Sequence, residues 1–150
     1  MPETDTEDMP EIVPNDNVSA IRYDPETGRI TAIRLGPYAD IANEGYSFIL
    51  GDADILTEYV DITQPTLEIK KRPLMDITQD TDIMYADGSD TMVLSGLPIP
   101  CEVTIGGQVY QVPDGIFEFQ TTAAGDYKII VSAFPYMDWE SEVIAVASDV

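Results

Sequence analysis

From Asp76 onward the chain is broken by turn signals at the spacing of short strands, and nowhere does it repeat apolar residues with a helical period. That punctuation predicts a mainly β chain with little helix. Candidate strands span 82–86, 91–94, 101–105, 108–112, 116–120, 127–133 and 140–145. Gly106-Gly107 suits a two-residue hairpin loop, and Pro113-Asp114-Gly115 a turn with one preset and one positive φ. Phe117 and Phe119 fall on one side of their segment, Ile116 and Glu118 on the other. Tyr127, Ile129 and Val131 alternate in the same way with Lys128, Ile130 and Ser132.

Two hairpins are predicted upstream. Residues 19–23 and 29–34 flank Asp24-Pro25-Glu26-Thr27-Gly28, where Pro25 presets the turn and Gly28 supplies a positive φ. A loop at 36–40 leads to a short strand at 46–50, broken by Gly51-Asp52-Ala53-Asp54. Residues 58–62 and 66–70 form the second pair, with Leu67 and Ile69 alternating against Thr66, Glu68 and Lys70. The first 18 residues are acidic, carry three prolines and no base, and read either as a loose terminus or as an extended arm strapped on a partner, with Ile12 and Val13 its anchors. The expected organisation is an extended acidic arm (1–18), a β-hairpin module that docks on a partner (19–75) and a β-sandwich that projects outward (76–150).

Charge and missing residue types narrow the function. With 28 acids against 7 bases the net charge is −21, which repels nucleic-acid backbones and anionic membranes and favours basic partners. Lys70, Lys71 and Arg72 are too short a run to reverse that field and suit a solvated strand end or an ion pair. There is no histidine, so no Ser–His–Asp or Cys–His catalysis and no His-ligated metal site. The single cysteine, Cys101, reads as a small buried hydrophobe. Asp52 and Asp54, and the group Asp80, Asp82, Asp87 and Asp90, lack the ligand order of a calcium loop and read as turn acids. A two-carboxylate glycosidase is the main enzyme class left open, but no aromatic platform accompanies the acids. The chain is expected to be no enzyme and to hold no cofactor or metal. It opens Met-Pro-Glu-Thr-Asp without an apolar run and has no stretch of membrane-spanning length, which predicts synthesis and retention in the cytoplasm.

At 133–139, Phe134, Tyr136, Met137 and Trp139 crowd around Pro135: Phe134 and Trp139 suit a cap on the sandwich core, and some of the four suit a protein-contact patch, two roles that can hold together. Gly125-Asp126-Tyr127 opens a long strand as a tyrosine does at the corner of immunoglobulin-like sandwiches, and Ile129 stands where antibody domains carry a cysteine. Ile21-Arg-Tyr-Asp-Pro-Glu-Thr-Gly-Arg-Ile30, then Leu50-Gly-Asp-Ala-Asp54, Glu58-Tyr-Val-Asp-Ile62 and Arg72-Pro73, resemble a module of small structural proteins of tailed bacteriophages. The run from Leu97 to Ile105, with 115–120, 125–131 and Phe134-Pro135-Tyr136, resembles the immunoglobulin-like domain that often follows it. The resemblance covers most of 19–145. It implies a virion component made in the host cytoplasm, placed with tail-fibre or tail-tip proteins or, alternatively, decorating the capsid. Its partners would be other virion proteins, in a homo-oligomer or symmetric multi-copy array, with no nucleic acid or membrane. A third reading, an acidic mimic of DNA, needs carboxylates in rows, whereas Asp24, Asp52, Asp87 and Asp114 sit singly at turns.

Overall fold

The computed structural model describes residues 14–148, which divide into two compact units with the boundary between Lys71 and Arg72. In the first unit, β1 (Asn17–Tyr23) lies between β2 (Ile30–Pro37) and β3 (Phe48–Leu50), antiparallel to both. Asn17 and Val18, read from sequence as the end of the arm, already belong to β1. Alternation then sorts the side chains. Ile21, Ile33 and Ile49 share one face and form a small core with Ile30 and Val60. Val60 comes from β4 (Glu58–Asp61), which among the described residues pairs with β5 (Glu68–Lys71) alone.

The segment after β2, expected to be a loop, holds one turn of helix, α1 (Tyr38–Ala42). Pro37 ends the strand in an extended conformation and cannot donate to the ladder, so the chain turns there. The amides of Tyr38 and Ala39, unpaired within so short a helix, are taken by the carbonyls of Asp16 and Pro14 at 2.8 and 2.9 Å. Ile41 is buried, and Tyr38 packs edge-on against Phe48.

The Asp24–Gly28 turn is held from within. Asp24 accepts the amides of Glu26 on its carboxylate and of Gly28 on its carbonyl, and Thr27 Oγ1 accepts the amide of Arg29. Gly28 then does a second job. Its carbonyl accepts the Val60 amide at 2.8 Å, and its missing side chain leaves room for the Val60 carbonyl. Next along β4, the buried Asp61 carboxylate takes Lys70 Nζ at 2.7 Å and the amide and hydroxyl of Thr63 at 2.9 and 2.5 Å. Lys70 and Thr63 hold that carboxyl well below the usual carboxylate range. A carboxyl whose folded pKa is depressed stabilises the fold above its unfolded value, near 3.9, and loses that contribution as the pH falls further. Melting curves of the wild type and Asp61→Asn should therefore differ fully between about pH 5 and 7, and the gap should shrink steadily as the pH falls below about 4.

The second unit is the immunoglobulin-like sandwich. One sheet runs β10 (Gln108–Val112), β9 (Cys101–Ile105), β12 (Gly125–Ser132), β13 (Trp139–Val146), β7 (Ile83–Tyr85); the other runs β11 (Ile116–Phe119), β8 (Met92–Ser95), β6 (Thr78–Gln79). All pairs are antiparallel except β13 with β7. In immunoglobulin lettering these are strands C′CFG against E and B, with the first strand split between the two sheets. Met92 and Leu94 from one sheet meet Val103, Ile105, Ile129, Val131 and Val143 from the other, all essentially without solvent exposure. Phe117 and Phe119 lean onto this core while Ile116 faces water, the alternation read from the sequence. Tyr127 makes the corner: its hydroxyl donates to the Ala123 carbonyl at 2.6 Å and meets Thr121 Oγ1 at 2.9 Å. Cys101 is buried in the same core as a free thiol, and burial pushes its pKa up. β6 is the strand with no counterpart among the expected ones.

Candidate interaction surface

The predicted contact residues fall in two places. Ile12 and Val13 lie outside the described residues. Phe134, Tyr136, Met137 and Trp139 are gathered at the turn between β12 and β13, and each is half-buried. Trp139 packs on the sandwich core. The turn is braced from 63 residues away: Arg72 Nε donates to the Pro135 carbonyl at 3.0 Å and Nη2 to that of Tyr136 at 2.5 Å. The same guanidinium lies 5.5 Å from the centre of the Phe134 ring, within cation–π range. Met137 donates its amide to the Pro73 carbonyl at 2.8 Å. So the base cluster divides its work, Lys70 pairing with an acid and Arg72 binding carbonyls. The aromatic turn is a rigid corner with part of each side chain at the surface.

A larger apolar exposure lies elsewhere, on the outer face of β7 and β13. Ile83 stands opposite Ile144, and Tyr85 opposite Val146. Their partners Met84 and Ala145 turn inward and are buried, so the four outer side chains form one cluster exposed by 58, 37, 55 and 38% respectively. Adjacent apolar side chains on a solvent face make a contiguous patch of the kind that marks protein contacts. Asp126 flanks Ile144 on β12, and Glu142 precedes it on the same face, giving an acidic rim. The sequence carries a signal for this patch. Val143-Ile-Ala-Val146 and Ile83-Met-Tyr85 are apolar without alternation, as a strand with two apolar faces must be.

β7 is also an edge strand. Its residues 82, 84 and 86 bond toward β13, which turns the backbone groups of Ile83 and Tyr85 outward. Three of those four groups are already taken. Thr81 Oγ1 accepts the Ile83 amide at 3.2 Å and donates to its carbonyl at 2.6 Å, and Asp90 Oδ2 accepts the Tyr85 amide at 2.7 Å. A capped edge resists strand addition. The patch therefore offers side chains rather than a ladder to its partner.

The remaining acids have local employment. Asp80 accepts the Val93 amide, Asp87 those of Ser89 and Asp90, Asp54 that of Leu56, and Asp52 the Ser19 hydroxyl. The Ser89 and Asp90 amides hold the Asp87 carboxyl below its ordinary value. Asp54 and Asp87 thus cap their own turns, while Asp80 and Asp52 tie distant segments together. Among known proteins, no family model and no curated protein matches the chain.

Proposed function

We propose that this chain is a structural component of a tailed-phage particle, associated with the tail fibre or tail tip, that works by binding neighbouring virion proteins. The observation that carries the binding role is the Ile83, Tyr85, Ile144, Val146 patch, a contiguous apolar face on a chain of net charge −21. Its acidic rim favours a partner with an apolar centre and basic surroundings. Placement in the particle is supported by the order of the phage-like motifs, followed by an immunoglobulin-like sandwich. The motif residues themselves are occupied in folding: Asp24, Thr27 and Gly28 shape the turn, Val60 the core, and Asp61 the β4–β5 pair. Docking is thus left to surfaces between the motifs, and modest contacts repeated by symmetry supply the affinity.

Mass spectrometry of purified particles, with copy number, tests this reading. The protein should co-purify with intact particles in the low copy number of a tail component. A number matching capsid subunits would move it to the head as a decoration protein. Absence from particles, with free protein in the lysate, would overturn the virion assignment.

A further inference from the structure

The two edges of the five-stranded sheet are finished differently. At β7 both outward groups of Ile83 and the outward amide of Tyr85 are capped by Thr81 and Asp90. At the opposite edge, Gly106-Gly107 closes a two-residue hairpin on Ile105 and Gln108. That closure makes 108 with 105, 110 with 103 and 112 with 101 the hydrogen-bonded pairs, so the amides and carbonyls of Val109 and Gln111 point away from the sheet. Among the described residues no side chain caps them. Natural edges are commonly blunted by charge, proline or a bulge. Gln108-Val-Tyr-Gln-Val112 has none of these, although acids outnumber bases four to one in the chain.

We propose that β10 is a pairing edge, and that its occupant is β10 of a second copy of this chain, antiparallel about a two-fold axis at Tyr110. In that register Val109 of each copy faces Gln111 of the other, and each such pair exchanges both backbone bonds. Tyr110 faces its equivalent across the axis. Its ring already rests on Phe117, 5.3 Å between centres, so little ordering is required.

Charge decides whether a second copy is admissible. From residue 72 onward the chain has only Arg72 and Lys128 as bases, so two sandwiches repel at long range. At the edge itself, however, there is no formal charge. The nearest acid on the outer face, Glu102, accepts from Gln111 Nε2 at 3.0 Å. Across the axis the two Glu102 side chains would sit three strand spacings apart, about 14 Å. That exceeds the screening length of about 8 Å at physiological salt. Repulsion is therefore small there and grows as salt is removed. A strand pair alone buries less than the roughly 1,000 Å² of a lasting interface, so the dimer is weak and depends on concentration.

Sedimentation equilibrium of the full chain, from about 10 μM to about 1 mM, reads the pairing directly. The average mass should climb toward twice the monomer, and further at 0.5 M salt than at 0.02 M (both on the order of the range where screening changes). Val109→Pro removes one outward amide that the β9–β10 ladder does not use, a position where edge strands tolerate proline. It should weaken association at least about tenfold. Val109→Lys, which leaves the backbone untouched, should do the same and covers the case in which the proline variant misfolds. A chain that stays monomeric at the top concentration in high salt, or association indifferent to both substitutions, overturns the proposal. The measurement uses the isolated protein, so its outcome is separate from the particle assignment.

Discussion

Replacing Gly28 with alanine is expected to unfold the first unit. Gly28 has φ +86°, a left-handed conformation that costs an alanine about 1–2 kcal/mol. The added Cβ would also lie 1.9 Å from the Val60 carbonyl oxygen and 3.1 Å from its carbon. Those are backbone atoms of β4, so no side-chain rotation relieves the overlap. β4 would have to withdraw, breaking the 2.8 Å bond from the Val60 amide and opening the core around Ile21 and Ile30. Strain together with a lost buried contact places the change among the rare substitutions above about 4 kcal/mol. A small unit with so few fully buried side chains has little to set against that. Hydrogen exchange should show loss of protection through β1, β2 and β4, while strands β8, β9 and β12 of the sandwich keep theirs. Native-like protection in β4 would show that the hairpin and β4 are not coupled through this glycine.

The contrast between what the sequence disclosed and what it concealed follows from distance along the chain. Strands bounded by their own turn residues were legible: Gly106-Gly107 forced β9 and β10 into register, and Asp24 to Gly28 did so for β1 and β2. The tyrosine corner was legible because Tyr127 and Ala123 are four residues apart. α1 was not, since five residues with one buried side chain, Ile41, display no period. β6 escaped for a similar reason, its two residues owing their strand character to β8 rather than to any pattern of their own. The contact residues divide along the same line. An aromatic cluster at 134–139 is visible in any reading, but its brace at Arg72 depends on the fold. The patch on β7 and β13 was half legible: two apolar runs without alternation mark its strands, but parallel pairing unites segments some sixty residues apart, and only that pairing tells which side chains face outward together.

On the proposed virion role, lysines placed on that patch are expected to keep the protein out of the particle while leaving it folded. In Ile83→Lys/Ile144→Lys both side chains already lie largely in water, so little core packing is lost, and Asp126 and Glu142 stand ready to accept the new charges. The melting temperature should shift by no more than a few degrees. A partner faces a different balance. Two apolar contacts at the centre of the interface become ammonium groups that must be stripped of water, opposite a surface selected to suit an acidic rim. Loss of central anchors of this size typically costs about 2–4 kcal/mol. Incorporation measured by mass spectrometry should therefore fall by roughly thirtyfold to a thousandfold. The mirror substitution Phe134→Ala would be a poor probe, because it strips the ring from beneath the Arg72 guanidinium and disturbs the turn itself. Wild-type copy number in particles carrying the double lysine variant would move the contact surface off β7 and β13, with the corner of Tyr136 and Met137 the next face to alter.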